Sequence, residues 1–297
     1  MIPDVLKNKF IGAIKSVKTV AVVMATDPQV LLAVRQAYDL GIVNAILCGP
    51  HAEINAVASA NGIDIAPFEI VDCGDDLSAA QVAVQLVRDG RADVLMKGLI
   101  HTADVLRAVL NRETGIRGDG VLSHVSVLYS PSKNRTLFLT DIAMVMYPTL
   151  ETKVSLINNA VKLARHMGVE CPRVAPLCAV ETLNPAMQAT VDAENLCQMN
   201  VAGEIKNCVV SGPVAFDIAV SADAAAAKGI AGPVQGNADV LLFHNIEAGN
   251  NTLKAMVQFG DWIFGGVVLG AQVPVIINSR SDSGMSKLFS IMCACAI

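Results

Sequence analysis

The sequence predicts an α/β fold built on mainly parallel sheets, and three observations carry that expectation. Apolar residues make up 53% of the chain while aromatics are only 4%. The core must therefore be aliphatic, as in strands buried on both faces of a parallel sheet. Apolar, β-branched runs alternate with helical patterns along nearly the whole chain, the rhythm of parallel strands joined by right-handed crossovers. Helix starts are marked at Asp27-Pro28 and Asn184-Pro185, each a capping side chain followed by a residue whose fixed φ suits the first turn.

Taken in order, residues 19–24 read as a strand and 28–40 as a helix. The strand at 43–48 is closed by Gly49-Pro50. Strands at 68–71 and 94–96 follow, with a helix over 77–88 between them, and Thr102 opens another helix. The rhythm changes between Arg112 and Pro148. A loop carrying Gly115, Gly118 and Gly120 precedes apolar runs at 125–129 and 136–141, and the connection at 130–135 suits an antiparallel hairpin. A long helix spans 150–166. Strands at 174–180, 207–211, 240–243 and 266–269 are then separated by helices near 185–199, 214–227 and 248–259. A last strand at 275–277 leads into a helix over 283–294. If that strand and helix rejoin the first sheet, the chain forms two domains, 1–147 plus 275–297 and 148–274, with a cleft between them.

Charge and composition exclude several classes. A net charge of −5 and a pI near 5.5 give no electrostatic footprint for nucleic acid. Mean hydropathy is high at +0.49, but the most apolar stretch, 264–277, is broken by three glycines, Gln272 and Pro274, short of a membrane span. Met1-Ile2-Pro3-Asp4 lacks the basic region and apolar core of a leader, so a cytoplasmic protein with no membrane partner is expected. The eight cysteines form no CxxC pair and no Cys/His set at zinc spacing, which favours reduced core thiols. No GxGxxG follows a strand, and no GxxxxGK[ST], HExxH or GxSxG occurs.

What remains is polar chemistry at strand ends. At 97–107 an apolar strand stops at Lys97-Gly98 and a helix begins at Thr102, so Lys97, His101, Thr102 and Arg107 can surround one phosphate-sized anion at a helix N-terminus. A capped helix with solvated Lys and Arg would have the same pattern. A second set, Asn278-Ser279-Arg280-Ser281-Asp282-Ser283, sits where the last strand becomes the last helix. Arg280 can grip two phosphate oxygens, Ser279 can donate to an oxyanion, and Asp282 can take a proton or cap the helix. Arg135, at the hairpin tip, is a further candidate to close over an anion. Glu247, Asn250 and Lys254 share a helix face that reads as solvated surface, and His244 ends a strand.

Together these residues resemble the phosphate acetyl/butyryltransferase family. The resemblance rests on Lys97 to Thr102 with Arg107, Leu139-Thr140-Asp141, Ser211-Gly212-Pro213, Gly236-Asn237-Ala238-Asp239, the block from Asn245 to Asn250, and Ser279 to Ser283. These occur in family order from about residue 90 onward, and the Asn245 block favours the butyryltransferase branch. The resemblance implies two α/β/α domains similar to the isocitrate and isopropylmalate dehydrogenases, a homodimer, and acyl transfer between coenzyme A and inorganic phosphate. Coenzyme A is then a substrate, with no other cofactor and no metal. In the acetyltransferases a Ser-Arg pair stabilises charge and a later Asp removes the thiol proton. Ser279 and Arg280 match the pair, whereas Asp282 follows too closely and the later position falls near Ser286 or Lys287, which leaves the general base open. Direct transfer in a ternary complex is expected, a route through Cys208 or Cys178 being the lesser alternative. Phosphate acetyltransfer is the near alternative, and a metal- and NAD-dependent hydroxyacid dehydrogenase or an idle anion-binding protein are rivals of other classes.

Overall fold

The computed structural model describes residues 4–297, so the start of the chain, where the lack of a leader was read, lies largely outside it. The chain divides into two compact units, Met1–Gly120 with Phe264–Ile297, and Val121–Ile263. The first begins with α1 (Asp4–Phe10), β1 (Lys18–Val23), α2 (Pro28–Asp39), β2 (Val43–Gly49), α3 (His51–Ala60), β3 (Glu69–Asp72), α4 (Asp76–Arg88), β4 (Val94–Lys97) and α5 (Thr102–Val109). Local chemistry sets the boundaries. Asp27 caps α2 by accepting from the Gln29 and Val30 amides, and Asp75 and Ser78 form a reciprocal capping box on α4.

The second unit contains β5 (Ser123–Ser130), β6 (Arg135–Thr140), α6 (Leu150–His166), β7 (Arg173–Pro176), α7 (Gln188–Val201), β8 (Val209–Val210), α8 (Phe216–Val220), α9 (Ala222–Ala227), β9 (Val240–Leu242) and α10 (Ile246–Phe259). Its strands run β5-β6-β9-β7-β8. Only the β5–β6 hairpin is antiparallel among them, as its four-residue turn dictates. The helix expected over 214–227 is broken at Ser221, whose hydroxyl instead caps α9. Asn184 does not cap α7 through Pro185; its side chain accepts from Ala186 in a local turn, and α7 starts three residues after Pro185.

The chain returns through β10 (Ile263–Leu269), β11 (Val275–Ile276) and α11 (Gly284–Cys295), completing a sheet ordered β3-β2-β1-β4-β11-β10 in the first unit. Here β11 is parallel to β4 and antiparallel to β10. The return to the first sheet expected for the last strand and helix is therefore present, with different boundaries from those read at 147 and 274. The hairpin belongs to the second unit because β6 pairs in parallel with β9, Phe138 opposite Val240. The chain re-enters the first unit one strand earlier because Val268 on β10 already pairs with Val275. α11 packs along α2, and Phe289 meets the Phe10 ring at 5.0 Å.

Strands β1 and β4 are tied beyond their last residues. The Gly98 amide donates to the Val23 carbonyl and the Leu99 amide to that of Met24, both at 2.8 Å. A Cβ on Gly98 would collide with those same main-chain carbonyls. Gly98→Ala is therefore expected to lower the stability of the first unit by about 1–3 kcal/mol or more, since backbone cannot step aside as a side chain can. Urea unfolding checks this, and an unchanged midpoint would show that the two loops part freely.

Candidate functional site

In the first unit β1, β4 and β11 lie side by side and parallel, Val23 opposite Lys97 and Met96 opposite Ile276. Their carboxyl ends therefore share one edge, where ligands bind in open α/β sheets. Three segments issue from it: Asp27 and α2, the 98–101 loop and α5, and residues 277–283 leading into α11. Each helix turns its N-terminus and positive dipole end toward the strand ends it follows, and α5 does so without a side-chain cap.

Lys97 is only 5% exposed, and its ammonium donates to the Gly98 carbonyl at 3.3 Å. Burial lowers its pKa; the charges of Arg280 and Lys287 lower it further, while Asp27 and Asp282 oppose them. Lys97 and the second polar set thus act on one another electrostatically beside the paired ends of β4 and β11. His101 occupies the cap position of α5, its carbonyl accepting from the Asp104 amide while its side chain makes no cap bond, and Thr102 is the first helical residue.

The Ser279 loop is held by Asp282. One carboxylate oxygen accepts from the Ser279 amide at 2.9 Å and from the Asn278 side chain at 3.2 Å. Asp282 is therefore not the helix cap: Ser283 accepts from the Ser286 amide and caps α11. Ser279 and Ser281 hydroxyls meet at 3.0 Å, and the Arg280 side chain is exposed, in no ion pair among the described residues.

Two of the anticipated residues are placed elsewhere. Arg107 does not reach back over Thr102. Its guanidinium pairs with Asp104 at 2.6 Å, one turn earlier, is 68% exposed, and borders a groove between α4 and α5 with Gln81 and Gln85. The Asp104 partner turns it along its own helix. Arg135 spends its guanidinium on main chain: it donates to the carbonyls of Val220 at 3.0 Å, Gly236 at 2.7 Å and Ala238 at 3.0 Å. It fastens the neck of the α8–β9 segment within the second unit.

That unit holds a constellation the sequence did not yield. Lys153 on α6 forms a buried ion pair with Asp192 on α7, and His244 Nδ1 lies 2.9 Å from the lysine ammonium. Gln188 donates to the other Asp192 oxygen at 2.8 Å. Burial lowers the His244 pKa, the Lys153 charge adds to this, and Asp192 opposes it. A signal was present: Lys153 falls on the same stripe as Leu156, Ile157, Ala160 and Ala164, the buried face of α6. The neighbouring blocks are structural. Asp141 accepts from the amides of His124, Ala143 and Met144, Asn245 caps α10, and Asn250 donates to the Ile142 carbonyl.

Burial disfavours the thiolate form of the enclosed cysteines. Burial pushes Cys208 up to about 11 and Cys48 to about 12, and raises Cys178 as well, opposite to the depressed values of reactive cysteines. Among the described residues no three His, Cys, Asp or Glu side chains group as a metal site, and no helix is long and apolar enough to cross a membrane.

These features fit one family by comparison with known proteins. The model of the phosphate acetyl/butaryl transferase family matches residues 76–295, and the chain belongs to that family. It is 47% identical to the phosphate butyryltransferase of Clostridium acetobutylicum over 292 residues, covering 98% of this chain and 97% of that one. It is 44% identical to the phosphate butyryltransferase of Clostridium beijerinckii, with the same coverage. Among solved structures, a branched-chain phosphotransacylase from Enterococcus faecalis superposes with a TM-score of 0.83 at 32% identity, covering 94% of this chain and 98% of that one.

Removing one partner of the Lys153–Asp192 pair leaves a buried charge alone. Lys153→Met should cost about 3–5 kcal/mol, and adding Asp192→Leu should recover much of it; chemical denaturation of the single and double variants checks this. The lowered His244 pKa has a definite sign. Its contribution to stability is present above about pH 6.5, its unfolded value, and is lost as pH falls toward the lower folded value. Thermal unfolding between pH 7 and 5 should show that loss, blunted in His244→Asn.

Proposed function

We propose that this chain transfers a short-chain acyl group, butyryl or similar, between coenzyme A and inorganic phosphate. The observation that carries the reading is that Lys97 and the Ser279-Arg280 loop issue from the carboxyl ends of the paired strands β4 and β11, with Lys287 bonded to the Asp282 carbonyl beside that loop, in a member of this family. In the direction of acyl-CoA synthesis, the thiolate attacks the acyl phosphate carbonyl. A carbon–sulfur bond forms, the carbon–oxygen bond to phosphate breaks, and phosphate leaves with the electron pair. Arg280 grips two of its oxygens, Lys97 neutralises its charge, and the open amides of α5 beside His101 and Thr102 add donors. Ser279 donates to the oxyanion formed at the carbonyl.

The thiol needs modest help, since its pKa of ~8.5 lies near neutrality and nearby cations lower it. Asp282 receives the proton or, through its bonds to Ser279 and Asn278, holds the oxyanion donor in place. The acyl group passes directly in a ternary complex, and the raised pKa values of Cys178 and Cys208 count against an acyl-cysteine intermediate. Arg107 and Arg135 have no part in this scheme. The partners are acyl-CoA and phosphate, with no cofactor beyond coenzyme A as substrate; a cytoplasmic homodimer is part of the proposal. Acetyl transfer uses the same groups, and the choice between acyl chains lies in pocket depth.

Purified protein should release free thiol from butyryl-CoA in a phosphate-dependent manner with excess EDTA present. Activity restored only by a divalent metal would overturn the metal-free scheme, and a panel of acetyl-, butyryl- and branched acyl-CoAs ranks the chains. Arg280→Lys should fold normally and lose about 10²-fold or more in turnover, because Lys keeps the charge and loses the two-point grip. Undiminished turnover in that variant would reduce Arg280 to a surface charge.

A further inference from the structure

The buried ion pair of the second unit holds a histidine in one form. The side chains of Lys153 and Asp192 are only 3% and 9% exposed, and their charges offset each other. His244 Nδ1 lies 2.9 Å from the Lys153 ammonium. An ammonium has donors and no acceptor, so Nδ1 must accept, and the proton of the neutral ring must sit on Nε2. Burial disfavours the imidazolium, the lysine charge disfavours it further, and Asp192 opposes them. Nε2 has no hydrogen-bond partner among the described residues, and it is not enclosed. His244 therefore presents one open N–H donor whose place on the ring is fixed by the lysine.

This donor stands where parallel sheets receive ligands. His244 is the second residue after Leu242, the last of β9, and Leu242 lies opposite Pro176 of β7 and Thr140 of β6 in parallel register. The cavity that His244 shares with Lys153 and Asp192, lined also by Leu177, Ala193 and Phe243, measures about 10 Å³, room for one water at most. A ligand therefore meets the ring at its open edge and does not enter that cavity. With the ion pair neutral as a unit and the ring uncharged, the site offers a hydrogen bond without net charge. Its complement is a neutral acceptor such as a carbonyl oxygen; a phosphate would find no cation there left unpaired.

We propose that His244 is a coenzyme A-binding residue, its Nε2–H donating to an amide carbonyl of the pantetheine arm, with Lys153 and Asp192 as positioning residues that fix the ring. The arm carries such amides and inorganic phosphate carries none. This rests on the acyl-transfer reading above and adds to it a contact for the uncharged part of the substrate, in the unit to which that reading assigns no residue.

Nitrogen NMR of the imidazole, calorimetry with coenzyme A, and steady-state kinetics test this on wild type, His244→Phe, His244→Gln and the Lys153→Met, Asp192→Leu double variant. In wild type at neutral pH the ring should be the Nε2–H tautomer, and its Nε2 signal should move when coenzyme A is added. His244→Phe keeps a flat ring and loses the donor. It should weaken coenzyme A binding and raise KM for butyryl-CoA by about three- to ten-fold, while KM for phosphate stays within about two-fold. Inhibition by the adenosine bisphosphate portion of coenzyme A, which lacks the arm, should not change. His244→Gln, with a donor at the matching position, should recover most of the affinity, and it keeps the test open if the Phe variant does not fold. In the double variant the ring should become a mixture of tautomers and coenzyme A should bind more weakly. An Nδ1–H or imidazolium ring in wild type overturns the proposal, as does a double variant whose tautomer is unchanged. So does a His244→Phe protein that binds coenzyme A as wild type does, or one that loses coenzyme A and the bisphosphate equally, which would make His244 a prop for the fold. Coenzyme A binding that depends on His244 in a protein that releases no thiol would instead defeat the acyl-transfer reading and leave this contact standing.

Discussion

The parallel register of β1, β4 and β11 is the constraint on which the candidate site depends. Pairing Val23 with Lys97 and Met96 with Ile276 brings three strands to the same edge within one residue of each other. Everything polar that follows them is delivered to one place: the Asp27 cap, the Lys97-Gly98 corner, and the Asn278–Ser283 loop. A shift of one residue in β4 would turn Lys97 to the opposite face of the sheet. The bonds from Gly98 to Val23 and from Leu99 to Met24 carry the register past the end of the ladder, which is why a residue without a side chain stands at that corner.

Burial of that edge explains how charge is distributed on it. Lys97 and Lys287 are enclosed by the aliphatic strands and by α11, a helix whose residues from Ser286 to Cys295 are all buried. Arg280 remains exposed on the loop. The enclosed lysines keep fixed positions because their stems are packed, whereas the exposed guanidinium is free to follow a ligand.

Most of the secondary structure was legible because its signals are periodic and local: alternation of apolar runs, an Asp-Pro helix start, a polar turn between two β-branched strands. That the segments after β4 and β11 leave from one sheet edge was legible too, since strand ends of a parallel sheet meet. Single side chains were harder. Arg107 was read as an anion ligand because helical side chains lean toward the N-terminus, and Arg135 because it stands at the hairpin tip. What each does is fixed by neighbours distant in sequence or one turn away, the carbonyls of Val220, Gly236 and Ala238 in one case and Asp104 in the other. Lys153 and Lys287 were passed over for the converse reason. A lysine is expected in solvent, and only its place on an apolar stripe marks it as buried. The Leu139–Asp141 and Asn245–Asn250 blocks, informative for family resemblance, lie together: the Asn250 side chain donates to the Ile142 carbonyl, and Gly249 closely approaches the Asp141 carbonyl.

The Arg135 clamp has a consequence for how this chain tolerates change. By gripping carbonyls at Val220, Gly236 and Ala238, one guanidinium closes the base of the excursion that contains α9. The entry and exit of that excursion are joined to the hairpin strand rather than through the excursion's own residues. Between these anchors Ala225 and Val234 are buried, so length and composition can change at the exposed turn of 229–233 while β6 and β9 keep their pairing.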